Sequence, residues 1–256
     1  MVKQEVLDSI AIIKIDRPKQ LNALSQKVLD CLELNFEDAI NNEKVKVIIF
    51  TGSGEKAFIA GADILEMNNM SSVEAKNYAI KGQKLTQKIE NSPKPVIGAI
   101  NGFALGGGCE FAMACHFRYA SENAKFGQPE VAIGLIAGFG GTQRLRRLVG
   151  KGIATELLLT GKIIDSMEAL RIGLVNGVLE DSILMETCIK IAQKIKSNSP
   201  LALEYTLASI NNGEDKSLDS ALNIEAEYFE KVFETKDSKE GLSSFIEKRK
   251  PKYKGQ

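Results

Sequence analysis

The chain carries one histidine, His116, and no tryptophan. A Ser-His-Asp triad would have to run through that single imidazole. Zinc sites built on two or three histidines are excluded. The four cysteines, Cys31, Cys109, Cys115 and Cys188, show no CxxC pairing. They have neither metal-ligand spacing nor the look of a disulfide framework, and they read as buried thiols of a reducing compartment. Excess charge is missing too, since 33 Lys+Arg balance 33 Asp+Glu. A neutral chain has no basic field to gather phosphate backbones, so nucleic acid is not an expected partner. The local basic stretch Lys248-Arg249-Lys250 reads either as a solvated helix end or as a ligand contact. No apolar run approaches the roughly 18 residues that span a bilayer. Met1 to Asp8 has no apolar signal core, so no membrane association is expected and the expected location is cytoplasmic. With imidazole and metal chemistry so restricted, proton transfer falls to carboxylates.

What is present is a 256-residue chain, 44% hydrophobic, enough for one large core or a core with a smaller helical appendage. The first half alternates apolar strand runs with amphipathic segments. Val6 to Ile15 reads as a strand rich in isoleucine, broken by Arg17-Pro18. Ser25 caps a helix whose apolar face is Val28, Leu29, Leu32, Phe36, Ala39 and Ile40. Val45 to Thr51 reads as a strand, 73–90 as a helix stopped by Pro93 and Pro95, and Val96 to Ile100 as another strand. The alternation predicts an α/β architecture.

The second half is mostly helical. Asp165 and Glu168 have capping-box spacing, and Gly173 sits where a helix would end. Ser199-Pro200 reads as a cap followed by proline at the first helical position. Helices are expected over 200–211, 217–234 and 239–249. The division expected is an α/β core over residues 1–195 and a helical region over 196–256.

Three segments carry the chemistry. Asn101-Gly102-Phe103-Ala104-Leu105-Gly106-Gly107-Gly108-Cys109-Glu110 follows a strand and precedes an apolar helix read over Phe111 to Phe117. Adjacent glycines let the backbone approach a ligand closely. The amides that open the next helix point free N–H groups at an anion or a carbonyl oxygen. Glu110 lies in that helix's first turn, beside the pocket those amides would frame. The segment lacks the Gly-Lys-Ser/Thr of a nucleotide loop, and no GxGxxG pattern occurs here or at Gly138 to Gln143. A tight turn without a ligand is the alternative. In Phe126-Gly127-Gln128-Pro129-Glu130, the carboxylate is either a solvated helix-start charge or an acid held against apolar walls. In Ala60-Gly61-Ala62-Asp63, small residues would let main-chain amides contact a flat ligand.

AGAD at 60–63, NGFALGGGCE at 101–110, FGQPE at 126–130 and GFGGTQRL at 138–145, with DRPKQLNAL at 16–24, EALRIGLVN at 168–176 and FIEKRK at 245–250, together resemble the crotonase (enoyl-CoA hydratase/isomerase) superfamily. The likeness covers nearly the whole chain in order. It implies an α/β fold, a spiral of repeated ββα units with a helical C-terminal trimerisation region, assembled as a homotrimer or a hexamer of two trimers. It implies hydration of a short enoyl-CoA thioester, with coenzyme A entering as part of the substrate and neither a separate cofactor nor a metal. Isomerisation of an enoyl-CoA, or hydration of a branched one, is the alternative. A non-catalytic CoA- or RNA-binding protein is the remote one.

By motif position, Glu110 and Glu130 match the catalytic glutamates, and Ala62 and Gly107 the two amides of an oxyanion hole. Gly138 matches a backbone group that holds water. Ala60, Gly61, Asp63, Ile64 and Leu65 fall along the CoA-binding segment, while Phe229 and Lys248 match positions that reach the CoA of an adjacent subunit. Three residues depart from the pattern. Leu65 stands where some relatives carry lysine. Ala137 replaces a proline, which is expected to loosen the water-holding loop. His116 replaces an aspartate and, placed on the far side of the apolar helix, is expected to be structural.

Overall fold

The computed structural model describes residues 1–256. The N-terminal run forms two strands rather than one. β1 (Val2–Leu7) and β2 (Ile10–Ile15) pair antiparallel across Asp8 and Ser9, whose φ values are 48° and 65°. Positive φ at both central residues is the geometry that suits a two-residue hairpin. Asp-Ser is a weaker signal for it than Asn-Gly, so the turn was hidden inside an apparently continuous strand over 6–15.

Three successive strand pairs then build two sheets. β3 (Val47–Gly52) is followed by β4 (Ala57–Ile59), β5 (Val96–Ile100) by β6 (Phe103–Leu105), and β7 (Phe117–Ser121) by β8 (Lys125–Gly127). The first strand of each pair enters a six-stranded sheet of order β1-β2-β3-β5-β7-β10, closed by β10 (Gly177–Leu179). The second enters a four-stranded sheet of order β4-β6-β8-β9, where β9 is Ile164–Asp165. Helices return the chain between pairs. α1 (Gln26–Asn41), capped by Ser25, precedes the first pair; the short α2 (Ile64–Met67) and α3 (Ser72–Glu90) follow it, and α4 (Gly107–Ala114) follows the second. This is the expected ββα spiral.

The central strands of the large sheet, β2, β3 and β5, are buried on both faces, so they read as nearly unbroken apolar runs, whereas the edge strand β1 is largely exposed. Ile13, Ile48, Phe50, Val96 and Ile100 face the main core with α1, α3 and α4. Ile10, Ile12, Val47, Ile49 and Ile97 face Leu184, Cys188 and Ala192 of α8 (Asp181–Lys196). Between β8 and β9 lie a 3-10 turn (Pro129–Ile133), α5 (Gly141–Val149) and α6 (Lys151–Thr160). α7 (Ser166–Arg171) begins at Asp165, whose carboxylate accepts from Glu168 N at 2.8 Å, and the chain leaves it through Gly173 at φ 79°.

The chain ends in α9 (Pro200–Gly213), α10 (Leu218–Phe233) and α11 (Lys236–Ile246). α11 starts three residues before the expected 239 because Thr235 caps it, accepting from Ser238 N at 3.0 Å. Neither α9 nor α10 has a buried residue, and Ile210, Phe229, Phe233, Phe245 and Ile246 are exposed. No helix is long and apolar enough to cross a membrane.

α4 differs from the helix read over Phe111 to Phe117. It spans Gly107–Ala114, and Phe117 already belongs to β7. Two of the three glycines are therefore helical. A Cβ on Gly108 would stand 1.9 Å from Ile59 O, so this helix end lies against β4 at a distance only glycine permits. His116 sits in the turn between α4 and β7, not on the helix. Its Nδ1 accepts from Val96 N at 2.8 Å, leaving Nε2–H to donate to Glu90 O at 3.0 Å. Satisfied by main chain on both nitrogens, it is a structural residue, and burial holds its pKa below the usual value.

Candidate active site

Glu110, Glu130, Ala62, Gly107 and Gly138 all line one cavity of about 560 Å³, whose walls are otherwise mainly apolar, among them Tyr78, Ile136 and Phe139. The small sheet makes this possible. β4 and β6 run parallel and end within one residue of each other in register, and the 60–63 loop and the opening of α4 line the same cavity.

The 60–63 loop is pinned to the segment before α1. Leu24 N donates to Gly61 O at 2.9 Å, and Asp63 N donates to Leu24 O at 2.8 Å. Between them, the N–H of Ala62 has no main-chain acceptor. Gly107 opens α4, so its N–H has no partner inside the helix. Two unoccupied amide donors thus border the cavity. The motif at 16–24 supports the loop from beneath. Arg17 reaches Ala23 O at 2.7 Å and pairs with Asp63 Oδ2 at 3.3 Å, while the buried Asn22 amide donates to Ala57 O at 2.7 Å.

Glu110 is 1% exposed, and its Oε1 accepts from Phe139 N at 2.7 Å and from Gly141 N at 2.6 Å. Those bonds and the Arg144 charge favour the carboxylate, but burial outweighs them, with Glu130 adding to it, and the pKa is pushed up to about 7. Glu130 sits on the 3-10 turn behind Pro129, half-buried, and burial raises its pKa as well. The buried Gln128 amide is satisfied with its nitrogen turned toward Glu130, at 3.0 Å from Oε1 and 3.2 Å from Oε2.

Of the expected site residues, Ala60, Gly61, Ala62, Ile64, Gly107, Glu110, Glu130 and Gly138 come together here. Asp63 and Leu65 do not line the cavity: Asp63 is turned to Arg17, and Leu65 is 84% exposed. Phe229 lies apart, in a shallow groove between α9 and α10. Lys248 follows α11 with φ 55°, and it too lies outside the cavity. Within one chain neither reaches the two glutamates. The loop that follows Ala137 is braced by side chains of α3 and by Arg144. Gln83 Nε2 donates to Gly138 O at 2.9 Å, and Phe139 O accepts from Thr86 Oγ1 at 2.9 Å and from Arg144 at 3.0 Å. The residues missed in the sequence are those that fix the walls. They include Tyr78, whose hydroxyl donates to Leu24 O at 2.8 Å, as well as Gln83, Gln128 and Arg144. Gln128 and Arg144 were inside quoted motifs, but nothing in a one-dimensional pattern says which way they point.

Residues 5–256 match the family model described as enoyl-CoA hydratase/isomerase. The short-chain-enoyl-CoA hydratase of Clostridium acetobutylicum is 50% identical over 94% of this chain and 92% of its own length. The crotonyl-CoA hydratase of Syntrophomonas wolfei is 48% identical over 96% of this chain and 95% of its own. Among solved structures, an enoyl-CoA hydratase from Bacillus anthracis superposes with a TM-score of 0.96 at 41% identity, covering 100% of this chain and 99% of that one. Matched over nearly its full length in sequence and in fold, the chain belongs to the enoyl-CoA hydratase/isomerase family.

Proposed function

We propose that this protein is a hydro-lyase that adds water reversibly, in syn fashion, to crotonyl-CoA, giving 3-hydroxybutyryl-CoA in short-chain fatty-acid or butanoate metabolism. The observation that carries this reading is the meeting of two carboxyl groups and two unpaired amides in one largely apolar cavity. The near-half identity to two hydratases of short enoyl-CoA substrates supports it.

The amides of Ala62 and Gly107 would take the thioester oxygen and form the oxyanion hole. Negative charge develops on that oxygen as water attacks the β-carbon, and losing one such donor costs about 10²- to 10³-fold in rate. Glu110 receives two N–H bonds, which favour its ionised form, so it is assigned as the base that takes the water proton. Glu130, raised by burial and lacking such a pair of main-chain donors, is assigned to hold the same water and deliver a proton to the α-carbon. Delivery of hydroxyl and proton from one side gives syn addition. Gly138, whose N–H has no acceptor in the chain, would hold the water from the loop side. Glu110 ends the addition protonated and Glu130 ionised, and proton exchange with water restores both, so the net addition is one water; coenzyme A is needed only as part of the substrate and no separate cofactor enters.

The exposed apolar residues of α9–α11 support self-association of the 196–256 region, as a homotrimer or a dimer of trimers. In such an assembly Phe229 and Lys248 would reach a neighbour's CoA. The cytoplasm, where acyl-CoA thioesters and reduced thiols occur together, is the location proposed. The direct test is loss of the enoyl absorbance of crotonyl-CoA on adding purified protein. Rapid loss with formation of 3-hydroxybutyryl-CoA is expected. No loss, with turnover of a 3-enoyl-CoA instead, would move the assignment to an isomerase.

A further inference from the structure

Glu110 takes both of its main-chain hydrogen bonds from the loop that enters α5, so whatever fixes that loop also fixes the carboxylate. The loop is held from behind by one side chain. Arg144 Nη1 donates to Phe139 O at 3.0 Å and to Thr86 Oγ1 at 3.1 Å, and Thr86 Oγ1 donates to the same carbonyl at 2.9 Å. The peptide whose N–H grips Glu110 flanks the residue whose C=O is gripped by Arg144.

Arg144 is fixed in turn. Its Nε and Nη2 meet Glu90 Oε1 and Oε2 at 3.0 and 2.7 Å, a bidentate pair at the end of α3. Glu90 is anchored through its own carbonyl, which takes His116 Nε2–H at 3.0 Å and Asn211 Nδ2 of α9 at 2.7 Å. The Arg144 side chain is 11% exposed and that of Glu90 32%, so the pair is shielded from solvent mainly on its arginine side. Gly140, at φ 110°, leaves room for the guanidinium, since a Cβ there would stand 2.3 Å from Nη1.

We propose that Arg144, clamped by Glu90, is a positioning residue of the active site: it holds the Phe139–Gly141 loop so that two N–H groups converge on Glu110. The inference rests on the assignment of Glu110 as the base. Arg144 touches no reacting atom. It acts through the loop and through its charge, which favours ionised Glu110. The other ionisable groups facing Glu110 are Glu130 on the 3-10 turn, Tyr78 on α3 and Cys109 on α4. Both Glu130 and Glu110 would be harder to ionise together without a nearby cation.

The experiment compares Arg144→Gln, Arg144→Lys and Glu90→Gln with the full-length wild type. It measures thermal unfolding, kcat and KM for crotonyl-CoA across pH, and the titration of the Glu110 carboxyl by 13C NMR, assigned against Glu110→Gln. For Arg144→Gln a loss of about 10²-fold in kcat is expected, the usual cost of a slightly misplaced catalytic group, with little change in KM. The acidic limb of kcat/KM should move to higher pH, and the Glu110 carboxyl should titrate higher by the same amount. Arg144→Lys should return the limb toward its wild-type position while recovering kcat only in part, because a lysine restores charge but not the planar fork. Glu90→Gln should fall between.

A folded Arg144→Gln protein with wild-type kcat and an unmoved limb would overturn the proposal. So would a loss of kcat that tracks unfolding while the limb stays in place. If Arg144→Gln does not fold, the limb positions of Arg144→Lys and Glu90→Gln decide by the same criterion. If the wild type does not hydrate crotonyl-CoA at all, the hydratase reading fails separately. The NMR titration then judges the positioning role alone, and an unmoved Glu110 resonance ends it.

Discussion

A Cβ on Gly106 would stand 2.9 Å from Glu130 Oε1. The first glycine of the triple thus makes room for the second carboxylate, and it holds φ 51° with ψ −124° while doing so. Gly106→Ala would strain the backbone and push Glu130 out of place at once. Strain of this kind costs on the order of 1–3 kcal/mol. The variant is expected to unfold at lower temperature and to lose kcat by more than it loses substrate affinity. A calorimetric scan with steady-state kinetics checks both.

Gly108→Ala separates stability from chemistry. Its added methyl would meet the main-chain carbonyl of Ile59, which cannot step aside without shifting β4. Soluble yield and thermal midpoint should fall severely, and CoA-ester binding should fall with them because the Ala62 loop follows β4. Wild-type stability would contradict the close-contact account of this helix end.

Glu110 is held with its pKa near 7, above the roughly 4.3 of a free glutamate. The sign for activity follows from its assigned role. A base must be ionised, so kcat/KM should rise with pH through an apparent value near 7 that belongs to the coupled pair. The sign for stability is opposite. The folded state binds the proton more tightly than the unfolded one, so this residue's contribution is fully present at low pH. It is lost as pH rises from the unfolded value through about 7. Glu110→Gln should therefore be more stable than wild type at pH 8, by up to about 3 kcal/mol, with little difference near pH 4. Denaturant titrations at both pH values test it.

His116 has its pKa lowered by burial, and its Nδ1 must stay unprotonated to accept from Val96 N. Above the unfolded value, about 6.5, both states are neutral and the residue contributes no pH dependence. As pH falls below it, the unfolded chain takes the proton first and stability drops. His116→Asn keeps an acceptor but cannot ionise. It should flatten the acid limb of the stability profile between about pH 6.5 and 5 relative to wild type. Parallel profiles would remove His116 as a cause of acid sensitivity.

Much of the fold was readable because the central strands of its large sheet, β2, β3 and β5, are buried on both sides and almost wholly apolar. What was misread followed from local geometry overriding pattern. The Asp8–Ser9 turn carries no glycine, so two strands merged into one. The helix expected from Phe111 begins at Gly107 instead, where β4 leaves no room for a side chain on Gly108. At the site, Glu110 and Glu130 stood out as carboxylates beside glycine and proline. Arg144, Thr86 and Glu90 did not, because Arg144 and Thr86 meet at the Phe139 carbonyl and Glu90 meets Arg144 only through the tertiary fold, not through spacing along the chain. Phe229 and Lys248 are the reverse case, visible as motif positions and placed far from this chain's own cavity.

The most direct test of the central claim is a crystal structure of the protein with 3-hydroxybutyryl-CoA bound. The thioester oxygen is expected within about 3.1 Å of both Ala62 N and Gly107 N. The 3-hydroxyl is expected between the Glu110 and Glu130 carboxyl groups. A thioester oxygen bound away from either amide, or a 3-hydroxyl that contacts only one of the two carboxyls, would contradict the claim.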